Sequence, residues 1–183
     1  PLVSGELKKA LGLKNIYSAS TVDQMPHMVA NLALFGHSGL WGVPDIDRTE
    51  TMIILGGNPM ASNGSVWTVP DFRNRAKALQ KRGGQLVVID PRRTETAKIA
   101  DRHLFIRPAT DGLLLVALLK AVLTHPERPA LPDYIDNLDA VAEAIKGFDS
   151  EACAAQCGVS LPDIQWLADR MVHGPAALYG RIG

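Results

Sequence analysis

The chain has 183 residues, 46% of them hydrophobic, which is enough apolar material for the core of one large globular domain. Its 19 basic and 19 acidic side chains cancel, so no overall charge favours nucleic acid or an anionic membrane. The longest apolar run, at 112–123, contains a lysine and is shorter than the roughly 20 residues of a membrane-spanning helix. We therefore expect no nucleic-acid partner and no membrane contact.

The first half of the chain contains one strong strand pattern between two helix patterns. Residues 15–20 (NIYSAS) fit a short strand, and residues 22–36 combine a proline-broken start with apolar residues at helical spacing. The unbroken, β-branched run TMIILGG at 51–57 predicts a buried strand. Residues 70–84 begin with Pro-Asp and end with two glycines, which are typical start and stop signals of a helix.

The same alternation continues through the middle of the chain. Residues 85–90 (QLVVID) predict a second buried strand, residues 94–101 a short helix and residues 103–108 a third strand. A long apolar helix is predicted to begin at Asp111. Strands that alternate with helices indicate a parallel sheet with helices on both faces. The predicted fold class is therefore α/β, a Rossmann-like three-layer fold with a mostly parallel sheet.

The last third of the chain adds two helices and a strand. Residues 131–148 and 160–174 each begin with a proline-containing helix start, and residues 176–182 (AALYGRI) predict the final strand. Cys153 and Cys157 are one helical turn apart. With no further cysteine in the chain, we expect them to pack in the core rather than to bind zinc or an iron–sulfur cluster.

Ligands of open parallel sheets bind beyond the carboxyl ends of the strands, so the residues after each predicted strand are the first candidates for a site. After the first strand, Gly56 and Gly57 allow positive φ and close approach of a ligand. Asn58 offers an amide to a phosphate or a sugar hydroxyl. The spacing is not Gly-x-Gly-x-x-Gly, and an ordinary turn is the alternative interpretation.

The residues after the second strand suggest a nucleotide. Asp90 lies where dinucleotide-binding folds bind the ribose hydroxyls with a carboxylate. Pro91 fixes the exit of the chain, and Arg92 and Arg93 carry guanidinium groups that suit phosphate or stacking on a base. The alternative is a turn aspartate followed by two solvated arginines.

After the third strand, Thr110 and Asp111 come directly before the long helix, and either is explained as its N-cap. The functional alternative is a carboxylate at Asp111 that accepts two N–H bonds from a guanine edge. Five histidines show no metal-ligand spacing in the sequence: His27, His37, His103, His125 and His173.

Three stretches together resemble the large subunit of the molybdopterin oxidoreductases. They are GGNPMASNG at 56–64, GGQLVVIDPRRTETAKIADRHLFIRPATDGLLLVALL at 83–119 and GVSLPDIQWLADRMVHGPAALYGRIG at 158–183. The family comprises molybdenum or tungsten enzymes with a bis(molybdopterin guanine dinucleotide) cofactor, such as formate dehydrogenases, nitrate reductases and dimethyl sulfoxide reductase. The resemblance covers most of the chain from about Asp45 onward.

The resemblance implies that the three loops bind one molybdopterin guanine dinucleotide. By position it places Gly57, Asn58, Pro59 and Met60 in the loop that lies along the dinucleotide. It places Asp90, Pro91 and Arg92 at the ribose and guanine side. It places Ala109, Thr110 and Asp111 in the motif whose aspartate recognises guanine. It further implies a single domain over 1–183, with a cofactor-binding core at 45–125 and a helical extension at 126–183 that returns to the sheet.

The sequence departs from the family pattern at several points. Ala109 replaces the usual glycine, which costs roughly 1 kcal/mol if that residue needs positive φ. The cysteine cluster of the family's 4Fe–4S centre is absent from this sequence, as is the later barrel domain. Asp23, with Ser20 as second choice, is our candidate for the protein ligand of the metal.

The resemblance implies a role as one domain of an oxidoreductase that performs two-electron chemistry at a molybdenum or tungsten centre. Because the chain begins without methionine and ends just after a strand, we expect it to be part of a longer polypeptide, inactive when isolated. Its expected partners are the remaining domains and an electron-transfer subunit, and the expected compartment is the cytoplasm rather than the periplasm. The alternatives are a nucleotide-binding domain of the thiamine-diphosphate-enzyme type and a non-catalytic assembly module.

Overall fold

A computed structural model of the chain describes residues 3–15, 17 and 20–181. It divides into two compact units, Pro1–Gly42 and Val43–Gly183. The first unit is helical within its described residues, with helices α1 (Ser4–Ala10), α2 (Ser20–Asp23) and α3 (Met25–Phe35).

The strand expected at 15–20 is not found in the described residues of that segment. Residues 15 and 17 lie outside any strand, Ser20 begins α2, and the other three residues lie outside the described part of the chain. The helix expected at 22–36 is confirmed as α3, which ends at Gly36 in the left-handed conformation, with φ of 70°.

The second unit is built on a parallel sheet of four strands. They are β1 (Thr51–Leu55), β2 (Gln85–Ile89), β3 (Arg102–Leu104) and β4 (Ala176–Gly180), in the order β3-β2-β1-β4. β1 is central, and its first residue is in register with the first residues of both β2 and β4. The predicted α/β class with a parallel sheet is confirmed.

Short and long helices connect these strands. Their bounds are α4 (Pro59–Ser62), α5 (Phe72–Lys81), α6 (Asp111–Leu123), α7 (Leu138–Lys146), α8 (Ser150–Cys157) and α9 (Leu161–His173), with 3-10 helices at Ser65–Trp67 and Ala97–Ile99. Among the residues that the structure describes, none of these helices is long and apolar enough to cross a lipid bilayer.

The side chains of β1 and β2 alternate between two apolar cores, one on each face of the sheet. On one face, Ile53, Leu55 and Val87 pack against residues of α6, α8 and α9. On the other, Met52, Ile54 and Val88 pack against α5 and the 3-10 helix that contains Trp67. The two cysteines lie in α8, free and buried in the first core, so their predicted structural role is confirmed.

One predicted helix begins later than expected. The pattern at 131–148 indicates a helix from its Leu-Pro-Asp start, but α7 begins only at Leu138. Asn137 adopts the left-handed conformation, with φ of 61°, and this interrupts any continuous helix from 131. The start of α9 fits the prediction, because the Ser160 hydroxyl accepts the Asp163 N–H at 3.2 Å.

Candidate functional site

Three loops leave the carboxyl edge of the sheet side by side. The first residue after each of three strands still bonds to the neighbouring strand: Gly56 N–H donates to the Ile89 carbonyl at 2.9 Å and Asp90 N–H to the Leu104 carbonyl at 3.1 Å. Arg181 N–H donates to the Leu55 carbonyl at 2.8 Å. These bonds extend the ladder by one residue, so the loops after β1, β2 and β4 begin at one level.

A small cavity opens between the ends of β1 and β4. β1 pairs with β2 on one side and with β4 on the other, so the strand order changes direction between β1 and β4. Open α/β sheets bind ligands at such a change of direction. The cavity has a volume of about 140 Å³. Its lining consists of Gly56, Gly57, Asn58, Ser62, Gly64, Ser65, Tyr179 and Arg181.

Gly57 keeps this cavity open. A Cβ atom at this position would lie 2.9 Å from Ile54 Cγ2, and 3.7 and 3.8 Å from side-chain atoms of Tyr179 and Arg181. The first distance is shorter than real Cβ contacts. Glycine is therefore required at this position by the chain's own packing, and the close approach of a ligand stays a prediction.

Asn58 joins the first loop to the second. Its Nδ2 donates to Glu95 Oε2 at 2.8 Å, and its Oδ1 accepts the Thr96 hydroxyl at 2.7 Å and the Thr96 N–H at 3.2 Å. The bond from Asn58 stabilises the charged form of Glu95 and thereby lowers the pKa of that carboxyl. One N–H of Nδ2 remains for a ligand.

Helix α4 begins directly after Asn58. Pro59 is its first residue and is buried, in the position where its missing N–H costs no hydrogen bond. The next N–H, of Met60, donates to Thr96 Oγ1 at 3.1 Å, while the Asn58 side chain makes no cap bond. Thr96 is fully buried and lies in the neighbouring loop, and its hydroxyl caps α4 in place of the Asn58 side chain.

Asp90 is buried, with 7% of its surface exposed, at the end of β2. Its Oδ1 accepts the Arg92 N–H at 2.7 Å, the bond of a turn aspartate. Its carbonyl oxygen lies 3.0 Å from His103 Nε2. Within the described residues, Oδ2 has no hydrogen-bond donor. One carboxylate oxygen therefore forms the turn of the alternative interpretation, and a ribose contact by the other oxygen stays a prediction.

The remaining predicted site residues, in the segments after β2 and β3, are more open. Pro91, Arg92 and Arg93 are exposed, so both guanidinium groups are accessible. Thr110 does not cap α6 with its side chain, because its hydroxyl donates to the Arg107 carbonyl at 2.6 Å. Asp111 begins α6, is half-buried and accepts no hydrogen bond from the described part of the chain.

Ala109 adopts positive φ, at 64°. The family's glycine would adopt this conformation without strain, whereas a Cβ disfavours it by roughly 1 kcal/mol. We predict that Ala109→Gly raises the free energy of unfolding, because about 0.5–1 kcal/mol of strain is relieved in the folded chain. The greater conformational entropy of glycine in the unfolded chain offsets part of this gain. Urea denaturation monitored by circular dichroism measures this change. A loss of stability of similar size would contradict the assigned strain.

Asp23 lies in the first unit, at the end of α2, and is half-buried. The three loops lie in the second unit. The assignment of Asp23 as a ligand of the metal stays a prediction, as do the ligand contacts of the loop residues.

Sequence reasoning missed four residues of this edge. Glu95 and Thr96 fell inside the quoted motif but received no role, because their partner Asn58 is 37 and 38 residues away in the chain. Tyr179 and Arg181 follow from the rule that was applied to the other strands, since β4 also ends at the carboxyl edge. The histidine spacing also gave no indication that the structure brings His125 and His173 together with Asp169.

Comparison with known proteins finds relatives along most of the chain. Nitrate reductase from Klebsiella oxytoca is 27% identical over 175 residues, which are 91% of this chain and 19% of that protein. Dimethyl sulfoxide/trimethylamine N-oxide reductase from Cereibacter sphaeroides is 27% identical over 165 residues, 84% of this chain and 20% of the relative. The chain thus spans about a fifth of the length of the curated relatives it matches. No family model matches it.

A solved structure shares the fold. Acetylene hydratase from Pelobacter acetylenicus superposes with a TM-score of 0.67 at 21% identity, over 83% of this chain and 20% of that one. At this level of identity the likeness establishes the common architecture. The sheet and the loops at its carboxyl edge are therefore a fold found inside a much longer enzyme.

Proposed function

Because the chain belongs to the molybdopterin oxidoreductase family, we propose that its second unit binds one molybdopterin guanine dinucleotide. The observation that carries this proposal is the alignment of the loops after β1, β2 and β4 at one edge of the sheet, with a cavity over Gly57. Nucleotides bind at such edges in Rossmann-like folds.

The chemistry of the edge fits a dinucleotide. The cavity over Gly57 takes a phosphate-sized group, and Arg181, which lines it, carries a guanidinium group, a type of side chain that suits phosphate oxygens. Asp90 Oδ2 is an acceptor for ribose hydroxyls. Asp111, at the first position of α6 and without a partner in the described chain, is an acceptor for the N1–H and 2-amino group of guanine.

In this proposal the chain's residues bind and orient, and they carry out no bond-making step. The cofactor, when bound, supplies the molybdenum or tungsten centre for two-electron transfer. Thr96 and Asn58 hold the first two loops in one arrangement before the ligand arrives, which lowers the entropy lost on binding. Arg92 and Arg93, both exposed, add positive charge near the diphosphate.

The proposal extends to the whole protein. We propose an oxidoreductase in which other domains complete the binding of the cofactor and a 4Fe–4S cluster, bound outside this chain, passes electrons to a partner subunit in the cytoplasm. The isolated chain is expected to show no turnover. The oxidoreductases among its relatives support this extension, as does their length, about five times that of the matched segment.

Guanosine diphosphate binding tests the assigned contacts. Isothermal titration of the chain with this nucleotide should show weak, saturable binding. Asp90→Ala and Asp111→Ala should each weaken binding at least about tenfold, since each removes a charge-assisted contact worth about 1.4 kcal/mol or more. Adenosine diphosphate should bind more weakly than guanosine diphosphate, because adenine lacks the two adjacent N–H donors that Asp111 accepts.

Asp139→Ala is the matched control for Asp111→Ala. Asp139 also lies in the first turn of a helix, α7, so its loss removes the same favourable interaction with a helix dipole. It is exposed and belongs to a different loop. Affinity for guanosine diphosphate that is unchanged in both Asp90→Ala and Asp111→Ala, or lowered equally in Asp139→Ala, would contradict the site.

The gene provides a separate test of the whole-protein proposal. Translation of the DNA upstream of the codon for Pro1 should reveal a Cys-x-x-Cys-x-x-x-Cys cluster for the iron–sulfur centre. Absence of both this cluster and any downstream barrel-like sequence would count against the proposal, whatever the nucleotide titration shows.

The relatives favour this function over the two alternatives. None of the proteins reported above is named as a thiamine-diphosphate enzyme or as an assembly factor. A nucleotide-binding domain of another enzyme would also explain Asp90, but it gives no reason for the DPRRTET and PATDG motifs to occur together.

A further inference from the structure

Three potential metal ligands meet where two helices of the second unit end. His125 follows α6 by two residues, and Asp169 and His173 lie one turn apart on α9. One donor atom from each residue lies within 4.8 Å of the others. His125 Nε2 is 2.9 Å from Asp169 Oδ1, and the two imidazole rings are 5.2 Å apart in an edge-on arrangement.

His173 is oriented as a ligand by its own helix. Its Nδ1 lies 2.9 Å from the Asp169 carbonyl oxygen, so this nitrogen carries the ring proton and donates it to the carbonyl. A backbone carbonyl on the second ring nitrogen is the usual support of a metal-binding histidine. Nε2 is the remaining ring nitrogen, and a metal ion there would replace the proton that Nε2 donates to the Glu127 carboxylate.

A fourth donor lies beside the cluster. Glu127 Oε2 is 2.9 Å from His173 Nε2, and the Glu127 N–H donates to His125 Nδ1 at 3.1 Å. The set then contains two imidazoles and two carboxylates, whose charges balance a divalent cation. The C-terminal ends of α6 and α9 add the negative ends of two helix dipoles, which also favour a cation.

We propose that His125, Asp169 and His173, joined by Glu127, bind a zinc ion. Two nitrogen and two oxygen donors suit zinc, which takes imidazole and carboxylate in a tetrahedral arrangement, whereas calcium and magnesium require oxygen donors alone. The site is independent of the proposed cofactor site. His173 directly precedes the segment that leads into the amino end of β4, at the opposite edge of the sheet from the three loops.

Binding requires one local rearrangement. His125 Nδ1 accepts the Glu127 N–H, so in the metal-free chain the ring proton is on Nε2. Zinc at Nε2 moves that proton to Nδ1 and breaks the bond to the Glu127 N–H. The residues at 125–127 therefore shift when the ion binds, which brings the Glu127 carboxylate from His173 to the metal and reduces the affinity below that of a preformed site.

The ion would act as a structural link. It would join the end of α6 to the end of α9, two helices that pack on the same face of the sheet. Because it binds the folded chain and not the unfolded one, zinc at about 100 times its Kd should raise the Tm of the chain by about 5 to 10 °C.

The test is a titration of the metal-stripped, full 183-residue chain with zinc chloride, by calorimetry and by thermal unfolding. We expect one equivalent bound, and at least tenfold weaker binding with a smaller rise in Tm at the same zinc concentration in both His173→Gln and Asp169→Asn. Both side chains are half exposed or more, so the two variants should fold. His37→Gln, which removes an exposed histidine outside the cluster, should bind zinc as the unchanged chain does.

Cobalt in place of zinc distinguishes this cluster from the cysteine pair. Nitrogen and oxygen ligands give visible d–d bands without a sulfur-to-cobalt charge-transfer band, and this is the expected spectrum. A charge-transfer band, affinity that is unchanged in both His173→Gln and Asp169→Asn, or the lack of any saturable zinc binding would each overturn the proposal.

Discussion

Leu114→Ala should lower the free energy of unfolding by about 2–5 kcal/mol, a large part of the stability of an ordinary domain. Leu114 has no exposed surface and belongs to the same core cluster as Ile53 and Val87. Its truncation removes buried methyl groups and leaves a cavity in the core that the sheet shares with α6, α8 and α9. Urea denaturation, monitored by far-UV circular dichroism, measures the loss.

Leu115→Ala in the same helix is the control. Leu115 is its neighbour in the chain and 38% exposed, so the variant has the same change in composition and helix propensity without a fully buried cavity. We expect a loss below about 1 kcal/mol. Equal losses in the two variants would mean that α6 does not present Leu114 to the sheet, and the assignment of this face would be wrong.

The architecture was predictable because local and global signals agree over most of the chain. β1 and β2 are unbroken β-branched runs with both faces buried, and only a sheet covered on both sides accommodates such strands. The bounds of α5, α6 and α9 follow from Pro, Asp and Gly signals at their ends. These signals act over a few residues, and sequence reasoning is most dependable at that range.

The start of α7 was missed because the same signals occur without a helix. Residues 131–137 contain the Pro-Asp start, but Ile135 N–H closes a turn onto the Pro132 carbonyl at 3.0 Å. The left-handed Asn137 then redirects the chain into α7. Asparagine tolerates this conformation better than most residues, yet nothing in its neighbours indicates that it adopts it here.

The candidate site was predictable in outline and not in detail. The rule that ligands lie beyond the carboxyl ends of parallel strands is topological, so it led to Gly57, Asp90 and Asp111 without knowledge of any contact. The bond between Asn58 and Thr96 and the meeting of His125 with His173 join residues 38 to 48 positions apart. Such pairs depend on tertiary packing, which spacing in the sequence does not encode.

The second large effect is expected at Thr96, the residue that joins two of the loops. Thr96→Val keeps the shape of the side chain and removes its hydroxyl, which donates to Asn58 Oδ1 at 2.7 Å and accepts the Met60 N–H at 3.1 Å. Because Thr96 is fully buried, the change leaves the Met60 N–H without its acceptor. We expect a loss of about 1–3 kcal/mol in the free energy of unfolding, measured by urea denaturation.

A double-mutant cycle with Asn58→Ala separates the contact between the loops from general loss of packing. If the hydroxyl acts through Asn58, the two changes together should cost less than their sum, with a coupling of about 0.5–3 kcal/mol. Thr124→Val is the matched control, because its exposed hydroxyl donates only to the Lys120 carbonyl of its own helix, and it should cost less than about 0.5 kcal/mol. Additive losses at Asn58 and Thr96 would show that the two loops are held independently. In that case Thr96→Val should leave the affinity for guanosine diphosphate unchanged. If the hydroxyl does join the loops, Thr96→Val should lower this affinity, because the ligand must then order both loops as it binds.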